Sequence, residues 1–388
     1  MIPLFAFDDV TCRQLAEAHG SPCFAYSGAA ADAQFRSLRA VLPPRVRLAY
    51  AVKANPHAGL LARFASLGAS FDCASIGELT RVEALKLPAG RTFFAGPGKR
   101  EEELRKALAL GVRVQAEGFE DLARIDALVE QETAMNLRVH PAFEIDEGNR
   151  IIGGSGPSAF GVDEEDVPAL LQRAANLRHV RIRGLHVFAA SNQRDASKLL
   201  AIHGAVLALA KRLQERHGLT FEQIDLGGGL GIAYAPDEAP LDLQALGHGL
   251  SELLAQHPWF SGELILEPGR FLAGPCGVYL ARVVRIKESR GKRFAILEGG
   301  INHLIRPLLT GEPFPVKAVG KGEGTQPYTL AGPLCTSLDR LGEASLPELV
   351  AGDLLAFGTT GAYGLNEGMT HFLSHPVPPE IWVEGAVS

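Results

Sequence analysis

The stretch Leu48-Ala49-Tyr50-Ala51-Val52-Lys53-Ala54-Asn55-Pro56 opens as an apolar run suited to a buried parallel strand and closes on Asn-Pro, a turn signal. Lys53 stands where that strand should emerge. An ammonium is strongly hydrated, so a partly desolvated site lowers a lysine's pKa, and the neutral amine can attack a carbonyl to form a Schiff base. A solvated lysine at a strand end also satisfies this segment. The rest of the chain has to decide between the two readings.

Outward from this run, β-prone apolar segments recur near residues 47–52, 69–73, 92–95, 112–116, 135–139, 180–187, 222–226 and 263–267. Between most of them, apolar residues at three- and four-residue spacing predict helices over Ile76 to Leu85, Glu101 to Leu110, Phe119 to Gln131, Val167 to Asn176 and Ser197 to His217. Strand alternating with helix implies a parallel sheet, and this repeat count favours a closed TIM-like (β/α)8 barrel, placed here over residues 26–270. A doubly wound open sheet competes less well, because no GxGxxG opens a βαβ unit near the start. Ahead of the barrel lie a short helical stretch, Val10 to His19, and a strand at Pro22-Cys23-Phe24-Ala25-Tyr26. Beyond Phe271 the texture changes to short runs such as Arg293-Phe294-Ala295-Ile296-Leu297 between Gly and Pro turns. Residues 1–25 and 271–388 are therefore expected to form a β-rich domain of barrel or sandwich type.

The composition narrows the function classes. Of 388 residues, 46% are hydrophobic and 21% charged, enough for a large core and too little charge for disorder. A net charge of −6 gives no electrostatic reason to expect nucleic acid or anionic lipid as a partner. The opening Met1-Ile2-Pro3-Leu4-Phe5-Ala6-Phe7-Asp8-Asp9 lacks the basic and apolar regions of a signal peptide, and no apolar run is long enough to span a bilayer. The five cysteines, Cys12, Cys23, Cys73, Cys276 and Cys335, show no CxxC spacing. They suggest neither a disulfide framework nor a metal site, and so favour the cytoplasm.

In a barrel of this kind function gathers at the C-terminal ends of the strands. Lys53, Asp72, Lys99, His186, the run Gly227-Gly228-Gly229 and Glu267 all fall there. Each has a dull explanation alone: a core histidine, a flexible turn, an ion-paired Glu267-Pro268-Gly269-Arg270 turn. Six such accidents are less plausible than one site. A lysine for a Schiff base, glycines whose N–H groups can wrap a phosphate, an arginine for its charge and a carboxylate for a pyridine nitrogen fit one cofactor, pyridoxal 5′-phosphate.

The ordered motifs Tyr50-Ala51-Val52-Lys53-Ala54-Asn55-Pro56, Phe71-Asp72-Cys73-Ala74-Ser75-Ile76-Gly77-Glu78-Leu79, Asp225-Leu226-Gly227-Gly228-Gly229, Glu267-Pro268-Gly269-Arg270, Gly332-Pro333-Leu334-Cys335 and Gly361-Ala362-Tyr363-Gly364 resemble those of the fold-type III pyridoxal-phosphate decarboxylases, the diaminopimelate and ornithine/arginine decarboxylases among them. The resemblance runs from Phe24 to Glu380. It implies that Lys53 carries the cofactor as an aldimine, that His186 stacks on its ring, and that Glu267 pairs with the pyridine nitrogen and favours a quinonoid. It further implies that Gly228, Gly229 and Arg270 bind the phosphate with help from Tyr363, with Asp72 also on the cofactor side. The resemblance implies a homodimer with shared active sites, Cys335 and Asp339 reaching into the partner's barrel and Cys335 giving the proton.

Two positions bear on substrate. Diaminopimelate and ornithine decarboxylases resemble this chain but carry an acidic residue after the cysteine, where Thr336 stands; threonine cannot pair a distal amine. Arg306 in Ile301-Asn302-His303-Leu304-Ile305-Arg306-Pro307 resembles the arginine that binds a distal carboxylate, although a surface ion pair would also account for it. Ala159 replaces a usual basic residue, and the Val187–Asn192 segment is longer than usual. The expectation is a side branch acting on an amino-acid conjugate with a distal carboxylate or amide, such as a citryl-diaminopropionate intermediate of siderophore biosynthesis. Alternatives are meso-diaminopimelate, an amino acid tethered to a carrier protein, and a non-enzymatic cofactor-binding homologue. A racemase fits less well, since those enzymes pair the pyridine nitrogen with arginine rather than with a Glu267.

Overall fold

The computed structural model describes residues 3–143 and 156–385. The first two residues of the opening segment and the last three of the expected β-rich domain lie outside them. The described chain divides into two compact units, one formed by Phe35–Gly231 with Leu241–Gly269, the other by the residues up to Gln34, Ile232–Pro240 and those from Arg270 onward.

In the first unit, the parallel strands Val46–Ala51, Ser70–Cys73, Thr92–Phe94, Arg113–Ala116, Thr133–His140, Val180–His186, Gln223–Asp225 and Glu263–Leu266 pair in chain order. The last returns to the first through Leu264↔Val46, which closes the barrel. The short strand Val162–Asp163 adds to the edge of Thr133–His140. Every expected run became a strand, because each is apolar over a strand's length and ends at a turn residue. Side chains alternate between the two faces of each strand. Tyr50 packs outward on Phe64 and Phe71, and Ala49 meets Phe93 and Ile265 in a small buried cluster.

The helices agree with the apolar spacing to within a turn, for example Ile76–Glu83 and Ala196–His217. Among the described residues, the helices Gly28–Val41, Ala58–Ser66 and Leu243–Gln256 went unread, as did the short Arg270–Ala273 and Arg306–Thr310. The first is rich in alanine, whose weak hydrophobicity blurs the periodic stripe on which such a reading depends. Capping still sets the boundaries where a short polar side chain is available. Ser75 accepts from Glu78 N, and Asp195 and Asp242 accept from Ser197 N and Ala245 N.

The second unit is a separate β-rich sheet. Its strands run Val316–Ala318, Leu354–Phe357, Gly277–Ser289, Lys292–Leu297, Gln326–Ala331 and Arg340–Leu346 in spatial order. The N-terminal strand Cys23–Ser27 joins it, antiparallel to Gly277–Ser289 and parallel to Glu380–Val383. The hairpin turn at Arg290-Gly291 has φ of 51° and 76°, the double positive pair that matches the twist of the flanking strands and that glycine adopts without cost.

Burial gives the barrel unit a pH signature. His203 on helix Ala196–His217 is buried, its Nδ1 has no hydrogen-bond partner among the described residues, and desolvation holds its pKa down to about 4. The unfolded chain therefore binds the extra proton between its ordinary value of 6.5 and about 4, so stability falls as pH drops through that window. His203→Leu is expected to flatten the pH dependence of the urea midpoint over that range. A slope equal to that of the parent would show that the imidazole is not held neutral by the fold.

Candidate active site

Six of the expected site residues, Lys53, Asp72, His186, Gly228, Gly229 and Glu267, belong to the barrel unit. Lys53 lies in the single turn Val52–Ala54 that follows the first barrel strand, its side chain about one-third exposed and its Nζ 3.8 Å from Asp72 Oδ2. It also stands over the ring of Phe188, 5.4 Å from the centroid. His186 closes the Val180–His186 strand and is buried, with Nε2 3.6 Å from Glu267 Oε2, longer than a hydrogen bond.

Below these groups the barrel interior is polar. Gln115 Nε2 donates to Asp225 Oδ2 at 3.1 Å and lies 3.2 Å from Glu267 Oε1, so one amide bridges two buried carboxyl groups. His186, Asp225 and Glu267 offer ligand atoms within 4.8 Å of one another, a grouping that could hold a metal ion as well as a proton. Burial pushes carboxyl pKa values up, and two carboxyls as close as Asp225 and Glu267 disfavour each other's ionisation. Asp225 is raised by burial and by the charge of Glu267. Asp72 is raised by burial and Glu267 too, with Lys53 opposing. Glu267 goes the other way: against the upward push of its own burial, the charges of His186 and Lys53 and a hydrogen bond from Asp225 hold it down to about 2. The cluster thus favours the anion at Glu267 and the proton on its neighbour Asp225.

The glycine run is set by close approach. A Cβ on Gly228 would lie 2.7 Å from Glu267 O, and one on Gly229, whose φ is +100°, would lie 2.6 Å from Ala190 Cβ. Gly227 N donates to Asp225 Oδ1 at 2.9 Å, whereas the N–H groups of Gly228 and Gly229 make no hydrogen bond among the described residues. Two adjacent free backbone donors suit a phosphate.

Lys99 does not join this group. Its ammonium is buried in an ion pair with Asp121 at 3.0 Å and a hydrogen bond to Gly96 O at 2.7 Å. It ties the Gly96 loop to the first turn of helix Phe119–Leu128. Ala159 is exposed, next to Phe160, whose ring lies 4.7 Å from the Arg138 guanidinium.

The other expected residues, Arg270, Arg306, Cys335, Thr336, Asp339 and Tyr363, belong to the β-rich unit. Arg270 is buried, donates to Tyr234 Oη at 2.6 Å and lies 4.9 Å from the Tyr363 ring. Arg306, also buried, lies 5.2 Å from that ring, with Glu367 Oε2 3.7 Å away. The ion pair that Arg306 makes, with Glu367, is partly buried rather than at the surface. Its guanidinium makes no hydrogen bond among the described residues, which leaves planar donors for a ligand. Cys335 is an exposed free thiol. Thr336 is half-buried, its Oγ1 accepting from Leu338 N at 3.3 Å. Asp339 is occupied structurally: Oδ1 accepts from Ile301 N at 2.8 Å and Oδ2 from Leu334 N at 2.7 Å. Those bonds splice the Ile301 and Leu334 loops together within the unit.

These groups fit pyridoxal 5′-phosphate: an amine for its aldehyde, free backbone donors for its phosphate, and an ionised buried carboxylate for its ring nitrogen. A family model described as pyridoxal-dependent decarboxylase, pyridoxal binding domain, matches residues 29–274. The chain belongs to the pyridoxal-dependent decarboxylases. It is 30% identical over 391 residues to the L-glutamyl-[BtrI acyl-carrier protein] decarboxylase of Niallia circulans, covering 96% of this chain and 91% of that protein. It is 34% identical over 367 residues to the diaminopimelate decarboxylase of Pseudomonas aeruginosa, covering 93% and 87%. The crystal structure of Helicobacter pylori diaminopimelate decarboxylase complexed with L-lysine matches with a TM-score of 0.87 at 26% identity, covering 96% and 93%.

This decarboxylase is therefore a pyridoxal-phosphate carboxy-lyase of the diaminopimelate/ornithine type, with a barrel and a β-rich domain, acting on a small molecule. Among the described residues, no helix is long and apolar enough to cross a membrane. When bound, the cofactor supplies an electron-withdrawing ring that takes up the charge left by departing CO2. Glu267, kept ionised, is the group that would hold a proton at the ring nitrogen. Asp225 and Gln115 fix its orientation and charge. Sequence reading missed those two as site residues, along with Tyr234 and Glu367. Gln115 carried a usable signal, a polar residue inside the apolar Val112–Ala116 run; Tyr234 and Glu367 carried none.

Lys53→Ala is expected to abolish both the visible absorbance of bound cofactor and CO2 release; measurable turnover would remove Lys53 as the anchor. Glu267→Gln is expected to keep the absorbance but lose CO2 release by on the order of 10²-fold, as when one fixed electrostatic contact is removed from an active site.

Proposed function

We propose that this decarboxylase acts on an α-amino acid, or a conjugate of one, whose far end carries a carboxylate or amide. The observation that carries the reading is Arg306, a buried guanidinium whose nearest carboxylate, Glu367, stands at 3.7 Å and whose donors are otherwise uncommitted. A cation desolvated in this way is stabilised by a ligand that returns two parallel hydrogen bonds. Thr336 supports the second half of the reading, because its hydroxyl offers no charge to a distal ammonium. The relative from Niallia circulans is named for an L-glutamyl-[acyl-carrier protein] substrate, itself a conjugated amino acid. A citryl-diaminopropionate-type siderophore intermediate and a carrier-tethered amino acid both belong to this class.

In this reading Lys53 anchors the cofactor, Gly228 and Gly229 with Arg270 and Tyr363 serve its phosphate, and Asp72 lies on the cofactor side with Glu267. The enzyme works as a homodimer in the cytoplasm. Cys335 of a second copy returns a proton to the carbon that has lost CO2. Cys335 is exposed in a single copy, and so are Leu308, Leu309, Leu338, Phe372 and Leu373 of the same unit. Asp339 then acts from behind, through the backbone bonds that shape the loop bearing Cys335.

The second reading is meso-diaminopimelate decarboxylation, favoured by the relatives named for that activity. CO2 release from a panel of meso-diaminopimelate, ornithine, lysine, arginine, a citryl-diaminopropionate conjugate and a carrier-bound glutamate separates the two. Release from a conjugate only is the expected result; release from free meso-diaminopimelate alone would replace the reading with its alternative. Arg306→Gln should raise KM for the carboxylate-bearing substrate about 10- to 100-fold, the worth of a charge-assisted bond, with less effect on kcat. Thr336→Glu should raise activity on free meso-diaminopimelate, and no change there would remove Thr336 as a selecting residue.

A further inference from the structure

We infer that Phe188, rather than His186, provides the face against which the cofactor's ring lies in this decarboxylase. The inference rests on Lys53 as the cofactor's anchor. It follows from the path of the chain after the Val180–His186 strand. His186 pairs with Asp225, and the ladder continues for one more bond, Val187 N to Asp225 O at 3.0 Å. The segment then runs beside the glycine run and is fastened again by Gln193 N to Gly229 O at 2.8 Å. Residues two apart on an extended chain share a face, so Phe188 repeats the inward direction of His186 about 6.6 Å further toward the C-terminal mouth of the barrel. Lys53 emerges at that mouth, just past the end of its own strand.

The distances agree. Lys53 Nζ lies over the Phe188 ring, 5.4 Å from its centroid. That puts an aromatic face within reach of a ring attached through the nitrogen, and aromatic rings pack at centroid separations of about 4.5–7 Å. Phe188 is held from behind: a Cβ on Gly227 would come within 3.2 Å of its Cδ2, and one on Gly228 within 3.4 Å of its Cε2. The glycines thus let the ring lie against the backbone. Its other side is not fully covered, since Phe188 is half-buried where Val187 and Ala189 on either side of it are buried. His186 lies one pleat lower, buried beside Glu267 in the cluster with Asp225, its Nε2 3.6 Å from Glu267 Oε2.

The consequence is an apolar, non-titrating wall where an imidazole would add a donor and a charge near neutral pH. His186 acts instead on Glu267, as a positioning residue. The test is cofactor affinity of the reconstituted full-length apoprotein, measured by equilibrium dialysis with pyridoxal phosphate, together with visible circular dichroism of the bound chromophore. Wild type and Lys53→Ala serve as references. Phe188→Ala is expected to weaken cofactor binding by about tenfold and to change the visible dichroic band, while Phe188→Tyr retains both. Phe188→Leu, which keeps apolar volume without a ring, should match the alanine variant in the dichroic band and stand between it and wild type in affinity. Should Phe188→Ala fail to fold, the Tyr and Leu variants decide the matter. Wild-type affinity and an unchanged band in Phe188→Ala or Phe188→Leu would overturn the inference while leaving Lys53 in place. A visible band that survives Lys53→Ala would instead overturn the anchor, and the inference with it.

Discussion

Burying charge inside the barrel is the constraint on which the site depends. Asp72, Asp225 and Glu267 are withdrawn from water in one unit, with Lys53 and His186 as the nearby bases. Isolated, each carboxylate would be too costly to keep ionised, so the cluster divides its protons unequally. Asp225 is pushed toward its protonated form and Glu267 toward the anion, which an amide from Gln115 steadies. A single negative charge at a defined place is the useful product of that division, because it matches the one cationic atom that a protonated pyridine ring would present.

The surrounding structure serves to keep those groups where they are. The glycine run, a natural candidate for flexibility, is instead among the most constrained segments, since a side chain at Gly228 or Gly229 would collide with the Glu267 or Ala190 backbone. Lys99, which sits at a strand end like the site residues, is spent on Asp121 and on loop closure. Asp339 is similarly structural in its own unit, accepting two backbone N–H groups. Position at a strand end therefore nominates a polar residue, and hydrogen-bond accounting decides whether it is free to act.

Arg306 illustrates the same accounting in reverse. Its sequence context left a surface ion pair and a ligand-binding role equally open. Arg306 is buried against Tyr363 with Glu367 3.7 Å away, and its guanidinium makes no hydrogen bond among the described residues, the observation on which the proposed ligand contact rests.

The amino-acid sequence by itself determined the architecture and the chemistry. Eight apolar runs with helical patterns between them specify a parallel barrel, since hydrophobic periodicity is a local property that survives without knowledge of contacts. Lys53, the glycine run and Glu267-Pro268-Gly269-Arg270 specified the cofactor for the same reason, their residue types being demanded by its reactive groups. The helices Gly28–Val41, Ala58–Ser66 and Leu243–Gln256 escaped. Only the tertiary structure could decide which of three carboxyls is ionised, that Gln115 joins two of them, and that Phe188 rather than the histidine two residues earlier stands beneath Lys53. Those outcomes depend on distances between residues far apart in the chain and on how much water reaches them, and neither is written in any local pattern.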